Sequence, residues 1–201
     1  MAYRVSYGRG NGFSLGPIAF LVIINVVLWV ATSIRPDLFI NVFGLRPILF
    51  LQMPWTIITS MFIHSPFPSI WHILFNMFTL YFFGTYLKTL VGEGRFLVTY
   101  FIGGLLGNLA FLFLSNPYTV AIGASGAVYA VAGALTVLRP KMKIIIFPIP
   151  IPIPLWIAMI GFVALSFSAN IAWQAHIGGI LFGLLMGFIF KRRQRGILFN
   201  I

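Results

Sequence analysis

A serine and a histidine in small-residue segments are the first candidates for chemistry in this chain of 201 residues. Ser125 lies in the segment GASGA (123–127), and His176 lies in the segment AHIGG (175–179). A serine hydroxyl becomes an effective nucleophile when a neighbouring neutral histidine takes its proton. If the two segments pack together, the pair can act as a catalytic dyad. The alternative is that both residues only pack and hydrogen-bond between helices.

A second pair, His72 and Asn76, is spaced for a shared role. The two residues are four positions apart, so on a helix their side chains point to the same side. Both can donate hydrogen bonds to one point, as an oxyanion site requires. Histidine and asparagine also join helices by hydrogen bonds, and the sequence leaves that alternative open. His64 lies in a loop before a Ser-Pro step, and we expect a structural or interfacial role for it.

The chain offers few other reactive groups. Asp37 and Glu93 are its two acidic residues, and it has no cysteine. We expect neither carboxylate near Ser125, which argues against a Ser-His-Asp triad. The sequence contains neither a His-Glu-x-x-His zinc motif nor a pair of intramembrane aspartates. A Ser–His dyad is therefore the expected hydrolytic machinery, with no metal and no cofactor.

Composition places these residues in a membrane protein. Apolar residues make up 60% of the chain and charged residues 7%, and the mean hydropathy is +1.03. Soluble domains carry about 25% charged residues. The formal charge of +11 could indicate a nucleic-acid partner, but the basic residues stand between long apolar runs rather than on one face. We expect the lipid bilayer as a partner, and no nucleic acid.

Several apolar segments approach the length of about 20 residues that a bilayer core requires. The connection at 39–63 is also apolar, but Gly44, Pro47 and Pro54 interrupt it. We expect a structured loop or a partly embedded hairpin there. The expected fold is an all-α bundle of six transmembrane helices at 17–34, 71–87, 96–114, 123–138, 155–168 and 171–190.

The distribution of lysine and arginine predicts the orientation of these spans. Basic residues precede the first span, separate the second from the third, and follow the fourth and the sixth. Because cytoplasmic connections carry the excess of positive charge, both termini are expected in the cytoplasm. The predicted organisation is a cytoplasmic tail at 1–16, a six-helix domain at 17–190 and a basic cytoplasmic tail at 191–201. The four candidate site residues then lie towards the outer leaflet of the cell membrane.

Small residues predict which spans pack closely. They form a stripe at 126, 130 and 134 on the fourth span and another at 175, 179 and 183 on the sixth. Such stripes let two helices approach closely, which would bring Ser125 within reach of His176. Tyr129 is one turn from Ser125 on the same face, where its ring can stack on the imidazole.

The segment FPIPIPIP at 147–154 has proline at every second position. Proline disfavours helix and favours an extended polyproline path, so we expect a stiff connector before the fifth span. That span is short for a full crossing. We therefore expect its mobility, or that of the loop at 168–170, to admit a substrate from the side.

Three motifs on the six predicted spans resemble those of the rhomboid family of intramembrane serine proteases. In chain order they are H-x-x-x-N at 72–76, GASG at 123–126 and AH-x-x-G-x-x-x-G at 175–183. The resemblance covers nearly the whole chain from about residue 17.

The resemblance implies a role for each residue of these motifs. Ser125 would be the nucleophile and His176 the general base. An oxyanion hole would consist of His72, Asn76 and the Ser125 backbone N–H. The residues that support this site would be Tyr129, Gly123, Gly126 and Gly179.

The resemblance also implies the substrate, a single-pass membrane protein whose helix unwinds near the outer leaflet. One departure lies in the first loop, where the Trp-Arg pair common in rhomboids is Trp55-Thr56. We expect it to affect that loop and not the dyad. Two other functions stay open, a catalytically silent rhomboid-like scaffold and a small transporter. The sequence has no internal repeat of the kind that transporters often contain.

Overall fold

The computed structural model describes residues 16–146, 149–168 and 171–198. Short 3₁₀ helices span Pro47–Leu49 and Ser60–Phe62, and a π-helical turn spans Leu80–Gly84. In chain order the other elements of this part are α1 (Pro17–Ile34), α2 (Pro36–Phe43), α3 (Thr56–Thr59), α4 (Ile70–Thr79), α5 (Thr85–Val91), α6 (Glu93–Leu114), α7 (Ser125–Leu138), β1 (Lys143–Ile146), β2 (Ile149–Pro154), α8 (Leu155–Ser166) and α9 (Trp173–Leu198).

Some expectations from the sequence fall outside the described residues. They concern most of the first tail (1–15), the start of the proline-rich segment (147–148), most of the loop before the last span (169–170) and the end of the chain (199–201).

Each predicted span coincides with a helix or a continuous helical run. Within the described part, α1, α6 and the Trp173–Arg193 portion of α9 are long and apolar enough to cross a membrane. α4, the π-helical turn and α5 form one run over 70–91, whereas α7 and α8 are shorter apolar helices. α9 continues to Leu198, past the predicted end at residue 190. The exact number of crossings stays a prediction.

The connection between α1 and α4 folds back on itself instead of forming a further long helix. The Trp55 indole N–H donates to the Val42 carbonyl at 2.8 Å, and the Thr59 hydroxyl donates to the Phe43 carbonyl at 2.9 Å. These bonds tie α3 to the end of α2. Insertion of this connection into the bilayer stays a prediction.

Helices α7 and α9 approach each other as closely as their backbones allow. A Cβ added to Gly179 would collide with the Gly126 carbonyl oxygen, and one added to Gly183 would collide with the Ala130 carbonyl oxygen. Close packing of this kind is how small residues join helices in lipid, where apolar burial provides little attraction between helices. The predicted contact between the two small-residue stripes is confirmed.

Helix α6 closes the same packing unit from a second side. A Cβ added to Gly103 would collide with the Cβ of Ala130 on α7. One added to Gly107 would lie 2.6 Å from the Ala175 carbonyl oxygen on α9. The three helices α6, α7 and α9 therefore form a tightly packed centre, and its end near Gly107 and Ala175 is the end that carries Ser125 and His176.

The all-α expectation is wrong in one place, because β1 and β2 form an antiparallel hairpin. Lys143 is opposite Pro154, and Ile144 is opposite Ile153. Pro150, Pro152 and Pro154 therefore belong to a paired strand rather than to a polyproline connector. Only alternate residues of a strand donate towards one partner, so prolines at every second position can face the unpaired edge. Proline at every second position therefore fits a polyproline connector and a paired strand equally well, and the spacing alone does not predict strand pairing.

The close contact between α7 and α9 predicts that Gly183→Ala destabilises the protein. The added methyl would meet the Ala130 carbonyl, and overpacking of this kind costs about 1–3 kcal/mol. Gly161→Ala on α8 is the matched control, because a Cβ there meets nothing within 4 Å. Thermal denaturation of the purified proteins in detergent should give a lower Tm for Gly183→Ala alone. Equal Tm values for the two variants would contradict the close packing.

Candidate active site

Ser125 is the first residue of α7, and the preceding backbone turn presents it. Gly123 has a φ of +121°, a conformation that glycine adopts without steric cost. Glycine also leaves room for a neighbour, because a Cβ at this position would lie 2.7 Å from His72 Nε2. The conformation and the space at residue 123 therefore both favour glycine, and together they bring α4 close to the start of α7.

The loop before α7 is hydrogen-bonded to the connection between α1 and α4. The Gly123 N–H donates to the Ser60 carbonyl at 2.8 Å, and the Ala124 N–H donates to His64 Nε2 at 3.4 Å. The Ser60 hydroxyl in turn accepts a bond of 2.9 Å from the Asn108 amide on α6. Burial lowers the pKa of His64 to about 3, so its ring is neutral and can accept the Ala124 N–H. His64 therefore anchors the loop.

Ser125 and His176 face each other across the contact between α7 and α9. Ser125 Oγ lies 2.8 Å from His176 Nε2, a normal hydrogen-bond distance. Gly126, which follows Ser125 directly, contacts Gly179, which is three residues after His176. The short distance therefore depends on the small residues that let the helices meet.

Tyr129 lies against the face of the histidine ring. Its ring centroid is 4.2 Å from that of His176, with an interplanar angle of 11°. The stacked ring restricts rotation of the imidazole. The Tyr129 hydroxyl reaches past the ring to α8, where it donates to the Phe162 carbonyl at 2.9 Å.

The other ring nitrogen of His176 contacts a residue that the sequence analysis did not single out. His176 Nδ1 lies 2.7 Å from the hydroxyl of Ser166 at the end of α8. Ser166 is 2% exposed. A polar residue inside an apolar span is the signal that could have identified it. Its distance from the other motifs along the chain gave no indication of its partner.

His72 presents its other nitrogen to the start of α7. The Ser65 backbone N–H donates to His72 Nδ1 at 3.3 Å, and the Ser65 hydroxyl lies 2.9 Å from the same nitrogen. A ring nitrogen that accepts from an N–H carries no hydrogen itself, so the hydrogen of a neutral ring is on Nε2. That Nε2 faces Gly123, two residues before Ser125. It is therefore a donor directed at the candidate site.

Two further donors belong to the same region. The Asn76 amide donates one bond of 2.8 Å to the His72 carbonyl and keeps a second N–H for another acceptor. The Ser125 backbone N–H is in the first turn of α7, where helix donors have no intrahelical partner. None of the hydrogen bonds of the described residues uses it.

The acidic residues lie elsewhere in the structure. Glu93 is 3.5 Å from Lys88 where α5 meets α6, and Asp37 is in the first turn of α2. In the part of the chain that the structure describes, no three metal-ligand side chains form a group. The partner of His176 Nδ1 is thus a neutral hydroxyl where a triad would have a carboxylate.

Comparison with known proteins gives a consistent family. The family model described as Rhomboid domain matches residues 51–193. Rhomboid protein 1, mitochondrial, of Saccharomyces cerevisiae is 34% identical over 156 residues, which cover 70% of this chain and 44% of that protein. Rhomboid protease GlpG of Haemophilus influenzae is 29% identical over 147 residues, covering 72% and 73%. Putative rhomboid protease YdcA of Bacillus subtilis is 29% identical over 143 residues, covering 70% and 69%.

The matches cover different shares of this chain and of its relatives. This chain spans less than half of the yeast protein, so the activity of a whole relative is not transferred by the match alone. The family model, however, covers well over half of this chain, and the apolar helices favour a membrane location. The chain therefore belongs to the rhomboid family of membrane proteins.

Proposed function

We propose that this protein is an intramembrane serine endopeptidase. It hydrolyses a peptide bond in or near the transmembrane segment of single-pass membrane proteins. The observation that carries the proposal is the distance of 2.8 Å between Ser125 Oγ and His176 Nε2. Relatives named rhomboid proteases support the same class of reaction.

The first step of the proposed reaction is acylation of Ser125. His176 Nε2 accepts the hydroxyl proton as Ser125 Oγ attacks the carbonyl carbon of the substrate. When the tetrahedral intermediate collapses, the imidazolium returns that proton to the leaving amine. Water then attacks the acyl-enzyme with His176 again as the base, which frees the second product and restores the serine.

The negative charge on the intermediate needs donors that are already in position. We assign this role to the Ser125 backbone N–H, to His72 Nε2 and to the free N–H of Asn76. The Ser65 N–H supports the assignment for His72, because it leaves the ring hydrogen on Nε2. Gly123 supports it too, because a side chain there would fill the space in front of that nitrogen.

The proposed site lies within the membrane, towards its outer leaflet. We propose six crossings within 17–190, with both termini in the cytoplasm and Ser125 towards the outer leaflet. The predicted cytoplasmic connections carry most of the basic residues. A helical peptide bond is shielded by its own backbone, so the substrate must present an extended segment at this depth.

Replacing Ser125 by alanine should abolish proteolysis. The test uses liposomes with the purified protein and a fluorescent transmembrane peptide that carries alanine and glycine near its outer end. Loss of the nucleophile should reduce the cleavage rate by about 10³-fold or more. Ser115→Ala is the matched control, because Ser115 caps the end of α6 outside the site, and it should cleave like the wild type.

The result of this comparison separates the proposed function from its two alternatives. Cleavage by Ser125→Ala at the wild-type rate would contradict a serine mechanism. A wild type that neither cuts the peptide nor reacts with a fluorophosphonate would favour a catalytically silent scaffold or a small transporter.

Cleavage should also fall at acidic pH. A protonated imidazole cannot accept the Ser125 proton, so kcat/KM should decrease as His176 becomes charged. Rates are measured across acidic and neutral buffers, and circular dichroism in each buffer verifies that the fold is retained. Undiminished kcat/KM in every acidic buffer in which the fold persists would exclude histidine as the base.

A further inference from the structure

Ser166 lies in a buried cluster of hydrogen-bonding groups behind the histidine ring. It is the last residue of α8 and is 2% exposed. Its hydroxyl is 2.7 Å from His176 Nδ1, 2.9 Å from the Tyr129 hydroxyl and 2.8 Å from the Phe162 carbonyl. A buried hydroxyl with three polar neighbours has a restricted choice of hydrogen-bond directions.

Counting hydrogens limits the arrangements of this cluster. Ser166 has one hydrogen and two acceptor sites. A serine hydroxyl at the end of a helix commonly donates to the carbonyl four residues earlier, which here is Phe162. With that hydrogen committed and the single Tyr129 hydrogen donated to the same carbonyl, the Ser166 oxygen keeps an acceptor site for its contact with His176 Nδ1. His176 Nδ1 must then be the nitrogen that carries the hydrogen, which leaves Nε2 free to accept the Ser125 proton.

We propose that Ser166 is a positioning residue that sets the tautomer of His176 from α8. The inference rests on the proposed function, since it concerns the base of that reaction. Ser166 does not reach Ser125 itself and acts through the imidazole. It holds the hydrogen on Nδ1, orients the ring together with the stacked Tyr129, and keeps its bond to Nδ1 when the ring becomes charged. A neutral hydroxyl thus does part of what a carboxylate does in a triad.

The position of Ser166 has a structural consequence for α8. The other groups of the candidate site belong to α4, α7 and α9, whereas Ser166 is supplied by α8. Ser166 can fix the tautomer and the orientation of the His176 ring only when α8 is packed against α7 and α9. The Tyr129 bond to the Phe162 carbonyl strengthens that packing at the same level.

The tautomer is measured directly by nitrogen NMR. The chain has three histidines, so protein with ¹⁵N-labelled histidine in detergent gives few ring signals, and a His176→Gln variant assigns those of His176. Wild type should show a protonated Nδ1 and an unprotonated Nε2. Ser166→Ala should show a mixture of both tautomers. A wild-type ring with its hydrogen on Nε2, or a spectrum that Ser166→Ala leaves unchanged, would overturn the proposal whether or not the protein cleaves peptides.

Kinetics supply the second measurement. Ser166→Ala should lower kcat by about 10- to 100-fold, by analogy with the loss seen when the hydrogen-bond partner of a metal-ligating histidine is removed, with little change in KM. Ser166→Thr keeps the hydroxyl and should recover most of kcat. Thr89→Ala is the matched control, because Thr89 is exposed on α5 and its hydroxyl also donates to the carbonyl four residues earlier, and it should cleave like the wild type.

The variants distinguish the two proposals from each other. Wild-type kcat in Ser166→Ala, together with an inactive Ser125→Ala, would reject the role of Ser166 and leave the protease intact. A low kcat in both Ser166→Ala and Ser166→Thr with a lowered Tm would also reject it, because the hydroxyl would then matter for packing alone. If no protein cleaves, the protease proposal fails and the NMR result decides the role of Ser166.

Discussion

The close approach of α7 and α9 is the constraint on which the rest of the site depends. Gly126 and Gly179 touch through backbone atoms, and Gly183 meets the Ala130 carbonyl one turn further along. Helices in lipid gain little from burying apolar side chains, so backbone contact and dispersion must hold them together. The distance of 2.8 Å between Ser125 and His176 follows from this contact. A larger residue at Gly179 would separate both the helices and the dyad.

A low-polarity environment also explains why the groups around the dyad are neutral. An unpaired carboxylate within the membrane would cost several kcal/mol, and the two acidic residues of the chain lie away from the site. Neutral donors and acceptors surround the two histidines instead. Ser166 contacts Nδ1 of His176, and Ser65 contacts Nδ1 of His72. In each case the contact on Nδ1 determines what Nε2 can do, so one ring can serve as a base and the other as a donor.

The sequence predicted those parts of this arrangement that depend on periodic patterns. The stripes of small residues identified α7 and α9 as neighbours, and the polar residues on them identified Ser125 and His176. Ser166 and Ser65 could not be found in this way, since a single serine gives no indication of its partner in space. The hairpin was missed because alternating prolines suit a paired strand as well as a polyproline connector. The periodic spacing of side chains thus predicts helix contacts better than it predicts isolated polar contacts or strand pairing.

The central claim is that the hydrogen bond to His176 makes Ser125 a nucleophile. Mass spectrometry after treatment with a fluorophosphonate probe tests this claim directly, because it identifies the residue that becomes covalently modified. We expect a single adduct on Ser125 in the wild type and a much lower yield of that adduct in His176→Ala. An adduct on a different residue, or equal labelling of Ser125 in both proteins, would contradict the claim.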